Sequence, residues 1–422
     1  MRLAARACFT GFLLLTASVA VAQYTPPGGP RDRPTSRRDA LEKEMEGTRF
    51  HLGPVRIAPW IGLKDVAVVR TEDETGAASD DLTATVGAGL RGYLRTGPAV
   101  IWTAQALPEY VWWRDDTERR SLNGRYGAAL HGFWNRLDLE IAANRDELQQ
   151  IVSPEVLSPA TVRIDRGGAE AEVRWTGALS TWVSVQQSEQ NSQVESADPL
   201  IETLRRLDRR EQTARATLRL RRRQSVMVGV GAEHSQAEFA SSSGQAGLDR
   251  SNSGISPVVE MRVERPGLFI QAEVLDRKLE AEKGSEFLEY SRVVGNGSVA
   301  FNAGGRLETW VYGQRGLAYT LLPQYAYLDD ERLGVALRLK MGWRTAARIF
   351  AEGGGSDYTV QVPGTPERQD DYRSYGGSLQ FELGHTGTLI LQAVRIEFDS
   401  NLPIYDRTYN SVGLTVTLAG RD

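Results

Sequence analysis

Apolar and polar residues alternate along most of the chain, most clearly from Gln212 to Phe239. Apolar side chains occupy every second position from Ala214 to Leu220, and again from Val226 to Ala232. This period of two residues predicts two long strands joined by a short turn, each with an apolar and a polar face. Because its arginines cannot be buried unpaired, the polar face must contact water or opposite charges.

The same alternation recurs from about Leu52 onward, interrupted by short turns roughly every 40 residues and by longer polar loops between them. Two segments, Arg306–Gln314 and Thr388–Ser400, mix the two faces, so the pattern assigns them no register. The predicted turns are at Thr96-Gly97, Asn135-Arg136, Thr176-Gly177, Arg223-Gln224, Pro266-Gly267, Ala303-Gly304, Gly342-Trp343 and Thr386-Gly387. The predicted loops are Glu72–Asp81, Asp115–Arg120, Ser153–Arg166, Asn191–Glu211, Ala240–Ser253, Glu282–Ser285, Arg315–Glu331, Gly355–Asp371 and Asp399–Pro403.

These connections imply about eighteen strands, many of them far longer than the ~5–6 residues of ordinary globular sheets. Long alternating strands with short turns at one end and long loops at the other are typical of an outer-membrane barrel. A closed sheet also leaves no unpaired edge in lipid. We therefore predict an all-β fold, a transmembrane antiparallel β-barrel of about 18 strands formed by residues 51–422. A secreted propeller or a soluble β-sandwich is the alternative, although neither usually has strands this long.

Tryptophan placement provides an independent test. Four tryptophans lie on the apolar face close to predicted short turns, and Trp112 lies on that face at the loop end of its strand. Aromatic residues at both ends of a lipid-facing surface are typical of the two membrane interfaces; the alternative is that they are core residues of a sandwich. The predicted membrane-interface aromatics are Trp102, Trp112, Trp134, Trp175 and Trp343.

The N-terminal region has a different composition. Residues 1–22 combine an early basic charge, a short apolar run and the sequence Ala20-Val21-Ala22, which is typical of a cleaved secretory signal peptide. The single cysteine, Cys8, would leave with this segment, so no disulfide is expected. Residues 23–50 are predicted to be a Pro/Gly/Arg-rich periplasmic segment with a short helix at Asp39–Glu46, for which Ser36 is a candidate cap and Gly47 the end. The mixed charge of this helix suggests a solvated face. Whether the helix lies in the periplasm or inside the pore stays open.

Charge and hydropathy narrow the function classes. The net charge of −4 argues against nucleic acid as a partner. The mean hydropathy of −0.36 reflects the absence of long apolar runs, but alternating strands average out in a hydropathy scan. The composition therefore does not argue against a membrane barrel.

The final strand, Ser411–Leu418, resembles the C-terminal signal by which the barrel-assembly machinery recognises outer-membrane proteins: a polar residue, Gly413, and alternating apolar residues ending in Leu418. The segment Phe50–Arg56 is similar to the barrel entry of porin-like bacterial barrels, a broad group that includes exopolysaccharide-associated barrels. About eighteen strands also resemble sugar-specific porins and the alginate-export barrel. The resemblance implies the architecture, with outer-membrane lipid, lipopolysaccharide and the assembly machinery as partners, and it carries over no functional residue.

Charged residues on the polar face are the candidate functional residues. They could form a constriction that selects anionic or sugar solutes, or a ladder of cross-strand ion pairs that holds the wall together. The candidates are Arg91, Arg95, Arg125, Arg215, Arg219, Arg221, Glu260, Arg262, Arg338 and Lys340. The same face is expected to carry Asp138, Glu140, Asp146, Glu170, Glu172, Arg174, Glu233, Glu264, Arg348 and Glu352.

Other chemistry has weaker support. The pairs Asp80-Asp81, Asp115-Asp116, Asp329-Asp330 and Asp370-Asp371 are expected to be solvated loop surface rather than cation sites, because none has calcium-loop spacing. His234-Ser235 is the one candidate for a rim hydrolase, but neighbours in a strand point to opposite faces. We therefore expect no enzyme activity, no metal and no cofactor.

The predicted function is a porin-like channel for passive or substrate-biased diffusion of small hydrophilic, anionic or sugar solutes, in a barrel that could form a homo-oligomer. The alternative is a structural or accessory barrel, for example in polysaccharide export, with a plugged lumen. A hydrolase is the remote alternative.

Overall fold

The alternating strands form one antiparallel sheet that closes on itself. The computed structural model describes residues 27–28, 37–48, 50–72, 78–157, 160–192, 203–222, 225–239, 249–384 and 387–419. The predicted signal peptide, the predicted cap Ser36 and the turn at Arg223-Gln224 lie outside these residues. No helix within the described ranges is long and apolar enough to cross a membrane.

Among the residues that the structure describes, one α-helix, α1 (Arg37–Glu46), precedes the sheet. The strands are β1 (Phe50–Leu52), β2 (Val55–Glu72), β3 (Ala78–Thr96), β4 (Val100–Trp113), β5 (Ser121–Phe133), β6 (Leu137–Gln150), β7 (Ala160–Arg174), β8 (Leu179–Ser192), β9 (Arg209–Arg222), β10 (Val226–Phe239), β11 (Asn252–Arg265), β12 (Leu268–Ala281), β13 (Tyr290–Ala303), β14 (Leu307–Ala318), β15 (Tyr325–Lys340), β16 (Thr345–Val360), β17 (Gln369–Leu383), β18 (Gly387–Ser400) and β19 (Arg407–Ala419). Short 3₁₀ helices occur in loops at Thr117–Arg119, Thr203–Leu207 and Pro403–Tyr405.

Each strand from β2 to β19 pairs with the next along the chain, and β19 pairs with β2, with Val412 opposite Val68. The described strands therefore make a closed barrel of eighteen, which confirms the predicted all-β barrel. β1 adds a three-residue hairpin to the start of β2 through Gly53, whose φ of +61° favours glycine. The start of β2 and the end of β19 both lie at the short-turn end of the barrel.

The strands extend further into the predicted loops than the sequence indicated. Predicted loops Ser153–Arg166, Arg315–Glu331 and Gly355–Asp371 were too long, because β7 begins at Ala160, β14 continues to Ala318 and β16 continues to Val360. Beyond the apolar belt the apolar face of β7 turns inward: Ala160, Val162 and Ile164 are buried in the lumen. An outward apolar face therefore no longer marks this part of the strand.

The two faces of the barrel differ as the alternation predicts. On β11 the outward Val259 is 52% exposed, whereas the inward Glu260 beside it is 8% exposed. Exposed apolar side chains of this kind encircle the outer face near the short turns. Above this belt, toward the long loops, outward ion pairs connect neighbouring strands, including Arg145–Asp165 at 2.6 Å and Arg315–Glu331 at 3.0 Å.

Residues of four loops in the described part of the chain pack together at the long-loop end of the lumen. Leu204, Leu207, Phe287 and Leu321 from these loops pack with inward apolar residues of the wall, such as Val258, in the largest buried apolar cluster of the described residues. A second cluster joins Leu157, from the β6–β7 loop, to β17 and β18 across the barrel. Part of the upper lumen is therefore occupied by buried apolar side chains rather than lined only by charges.

Candidate functional site in the barrel lumen

Charged side chains on the inner face of β9 to β12 form a connected network. Arg219 donates two hydrogen bonds to Glu260, at 2.6 and 3.1 Å, and Thr217 donates a third at 3.0 Å. Arg215 lies 3.4 Å from Glu260 and 2.8 Å from Glu273. Both guanidinium groups also lie near the ring of Trp182, the Arg219 group 4.4 Å from its centroid. These predicted lumen residues are thus bound to one another.

Two acidic rungs lie on the inner face of β6 and β7, where carboxylates sit directly opposite each other. Asp138 is the register partner of Glu172, and Glu140 is the register partner of Glu170. Like charges directly opposite in an antiparallel pair are destabilising, so each rung needs a cation. The first rung has two from the wall itself: Arg174 pairs with Asp138, and Arg221 donates to Glu172 at 2.6 Å.

The remaining predicted lumen cations fall into different surroundings. Arg262 pairs with Glu264, two residues away on its own strand, at 3.0 Å. Arg125 also faces inward and makes no ion pair within the described part of the chain. Arg91 faces inward beside α1, near Glu44.

A cationic patch lies on the inner face of β15 and β16 near the short turns. Arg338 is the register partner of Arg348, with Lys340 two residues further along β15. On the other side Arg338 faces Glu308 of β14. Two arginines directly opposite each other cost stability, so the patch concentrates positive charge on this part of the wall at the expense of stability.

The helix α1 lies inside the lumen at the short-turn end, which settles the position that the sequence left open. Leu41 and Met45 are buried against the inward side chains of Tyr93, Ile101 and Phe133. The helix keeps an exposed polar face with Arg38 and Lys43, while a narrow apolar stripe on its other side contacts the wall. Sequence patterning underrates this stripe because it contains only two apolar residues.

Polar contacts also attach α1 to the wall. Arg95 donates to Glu42 at 2.6 Å, and Tyr93 donates to Glu44 at 2.8 Å. A hydrogen bond from Arg38 holds the pKa of Glu42 below its ordinary value, opposed by burial and supported by a weaker hydrogen bond from Arg95. Burial raises the pKa of Glu44.

The first residue of α1 reaches the second acidic rung. Arg37 Nε lies 2.8 Å from Glu140, and its Nη1 contacts Glu170. Further back along the chain, the Gly28 N–H donates to Glu352 at 3.2 Å, and Arg348 donates to the Gly28 carbonyl. β16 and β6 lie nearly opposite in the strand order, so the N-terminal segment contacts both the cationic and the acidic wall.

The long-loop end is held by buried charges that sequence reasoning missed. Glu155 accepts hydrogen bonds from the Thr320 hydroxyl and the Leu321 N–H, each at 2.6 Å. Arg250 donates to the carbonyls of Thr320, Leu322 and Tyr325, and burial lowers its pKa to about 10. No local pattern marks these loop residues, because their partners come from distant loops.

The paired aspartates fit the expectation of solvated loop surface only in part: Asp80, Asp115 and Asp371 are exposed, but three others are not. Asp329, Asp330 and Asp370 are buried rather than solvated, at 4%, 7% and 0% exposed. Asp370 accepts a hydrogen bond from Arg368 at 2.6 Å and lies 3.1 Å from Arg407. Inward-folded loops cover these strand ends, which explains the burial. No group of three or more His, Cys, Asp or Glu side chains in the described residues could hold a metal ion.

The predicted interface tryptophans all lie on the outer face. Trp102, Trp134, Trp175 and Trp343 are 44–75% exposed at the short-turn end. Trp112 lies at the loop end of β4, with Arg120 5.4 Å from its ring centroid. His234 points outward, 3.1 Å from the Gly254 carbonyl, whereas Ser235 faces the lumen.

Solved structures share this fold. The crystal structure of Pseudomonas aeruginosa OccK2 (OpdF) aligns with a TM-score of 0.51 at 10% identity, over 86% of this chain and 97% of that one. A structure of the same protein in complex with glucuronate aligns equally well. Acinetobacter baumannii OccAB3 aligns with a TM-score of 0.52 at 10% identity, over 86% and 99% of the two chains.

At this identity the likeness concerns the fold alone. No protein-family model matches the chain, and no curated protein matches its sequence. The eighteen-strand closure, the exposed apolar belt and these likenesses agree on one architecture. The chain has the fold of a porin-like outer-membrane barrel.

Proposed function

We propose that this chain is an outer-membrane channel for the passive diffusion of small hydrophilic solutes, closed at its short-turn end by α1. The observation that carries the proposal is a closed eighteen-stranded wall, apolar outside and charged inside. Barrels of this size enclose an aqueous channel unless a segment fills it. The segment at the short-turn end, α1, is attached to the wall by few side chains.

The outer membrane is the location that the outer surface supports. The exposed apolar belt suits lipid, and the ion pairs above it suit the polar headgroups of lipopolysaccharide. We propose that Ser411–Leu418 serves as the assembly signal, since β19 is the strand that closes the barrel onto β2. Val412 and Leu418 in this segment face outward, at 64% and 47% exposed.

The solute preference follows from the cationic patch. Arg338, Lys340 and Arg348 outnumber the facing Glu308, so they favour anionic solutes, including anionic sugars. One solved barrel of the same fold holds glucuronate, an anionic sugar. We assign this bias to the patch rather than to Arg215 and Arg219, because those two arginines are occupied by carboxylates.

Current through a planar bilayer tests the proposal. The purified chain without its predicted signal peptide should give a small current, and deletion of residues 37–46 should raise it several-fold. Substituting Arg338→Ala in the deletion variant should move the reversal potential in a KCl gradient toward cation preference. Arg373→Ala, on the outer face 3.6 Å from Asp399, should not. Absence of current from both the full chain and the deletion variant would contradict a channel.

A second function is favoured by the dry loop core at the opposite end. If Leu204, Leu207 and their partners seal the upper lumen, the chain is a structural or accessory barrel with a plugged pore. In that case current should appear only when the loop core is also disrupted, for example by Leu207→Asp. Current from the α1 deletion alone would contradict the plugged barrel.

A further inference from the structure

The two acidic rungs on β6 and β7 differ in where their cations come from. Asp138 and Glu172 are neutralised by Arg174 and Arg221, which belong to the barrel wall. The other rung is bridged by Arg37, which belongs to α1. Its balance of charge therefore depends on a segment outside the sheet.

The carboxylates of this second rung are too buried to remain without a cation. The side chains of Glu140 and Glu170 are only 5% and 16% exposed, whereas that of Arg37 is 34% exposed. The fully buried His131 turns its Nδ1 toward Glu140 at 2.9 Å, without hydrogen-bond geometry. Burying two opposed carboxylates without a cation is costly, so the departure of Arg37 would leave a site that binds a replacement.

The geometry of the contacts between Arg37 and the two carboxylates determines which kind of cation can replace Arg37. Arg37 directs Nε toward one carboxylate and Nη1 toward the other as ion pairs, without hydrogen-bond geometry at Glu140 Oε2, so a single planar group neutralises both rung partners. A guanidinium has this fixed fork of donors, whereas an ammonium is a point charge on rotating bonds. A quaternary ammonium has no donor at all.

We propose that Glu140 and Glu170 form a guanidinium-binding site, occupied in the resting barrel by the chain's own Arg37. A solute or peptide carrying a guanidinium group competes with Arg37 and loosens α1. Only the consequence of binding, which is opening of the channel, rests on the proposed function. The binding itself does not require conduction.

Binding is measured by titration calorimetry of the folded protein in detergent, with methylguanidinium as the probe and tetramethylammonium as the charge-matched control. Arg37→Ala should bind methylguanidinium at least about tenfold more tightly than the wild type, the size expected for one charge-assisted hydrogen bond. Arg38→Ala is the matched variant, since Arg38 pairs with Glu42 of its own helix at 3.1 Å. It should behave as the wild type does.

Adding Glu170→Gln to Arg37→Ala should abolish the gain. Equal binding by the Arg37→Ala and Arg38→Ala variants, equal binding of the two cations, or binding retained in the double variant would each overturn the site. Amide exchange of α1 in the unmodified chain gives a second readout that needs no substitution. It should accelerate with methylguanidinium and not with tetramethylammonium, and no acceleration would contradict competition with Arg37.

Failure of this inference is distinguishable from failure of the channel. Current without methylguanidinium binding removes the site and keeps the channel. Binding without current keeps the site and removes the channel.

Discussion

The two ends of the barrel are closed by different physical means. At the short-turn end α1 buries three apolar side chains, Ala40, Leu41 and Met45, and is otherwise attached by ion pairs and hydrogen bonds. At the long-loop end loop residues such as Leu204 and Tyr319 join a far larger apolar cluster with the wall. Each fully buried apolar side chain contributes roughly 1.5–3 kcal/mol, so the loop end should be fixed and the helix end displaceable.

The largest expected effect is at the loop end. Leu204 is fully buried in that cluster, so Leu204→Ala should destabilise the docked loops by about 2–5 kcal/mol through lost transfer energy and a cavity. Amide exchange of residues 203–207 measures the change. Ile404→Ala, at an exposed loop position, is the control and should change exchange little. Equal effects at the two positions would contradict a packed loop core.

Acidity should tighten the same loops. Burial raises the pKa of Asp208 to about 6 from an ordinary 3.8, and its carboxylate accepts the Ser192 N–H at 2.6 Å. Between about pH 4 and pH 6, Asp208 is therefore protonated in the docked loop but ionised in the released loop. The stability of the docked loop falls as pH rises through this window. The protection of the amides of residues 203–207, which is the slowing of exchange relative to the intrinsic rate at each pH, should be greater at the acid end of this window. Asp208→Asn should remove the dependence, and a wild-type loop insensitive to pH would contradict the assignment.

The smallest expected effect is that of salt, which should weaken the attachment of α1 but not the loop core. Raising ionic strength from about 0.1 M to about 1 M shortens the screening length to roughly 3 Å. The exposed pair between Arg95 and Glu42 at 2.6 Å should weaken by about 0.2–1 kcal/mol. Exchange of α1 should accelerate while exchange of residues 203–207 should not. Arg95→Ala should reduce the salt effect on α1, and equal acceleration at both ends would contradict the contrast.

Sequence reasoning predicted the wall better than its contents. Alternation alone places Val259 outward and Glu260 inward, because lipid and water act on every strand in the same way. The mixed face of Thr388–Ser400 has a structural cause: Ile396 and Phe398 point into the lumen and pack on Leu157 of a loop. A local pattern cannot reveal a partner that lies more than two hundred residues away.

The same reason accounts for the candidate site. Arginines on one strand face predict lumen charges, but not that Arg219 is bound to Glu260 while Arg125 has no ion pair within the described residues. The position of Arg37 follows from Leu41 and Met45, which place one narrow stripe of α1 on the wall. Spacing of four residues between Arg37, Leu41 and Met45 is the signal that was present in the sequence.

The most direct test of the barrel itself is the environment of neighbouring positions on one strand. With Cys8, the single cysteine in the chain, removed, spin labels can be attached at Val299→Cys and Ser298→Cys on β13, and at Leu379→Cys and Ser378→Cys on β17. In liposomes the labels at the outward positions 299 and 379, where the native residues are 41% and 39% exposed, should collide mainly with oxygen dissolved in lipid. The labels at 298 and 378 should collide mainly with a nickel complex in water. Equal access of the aqueous reagent to all four positions would contradict a lipid-embedded barrel.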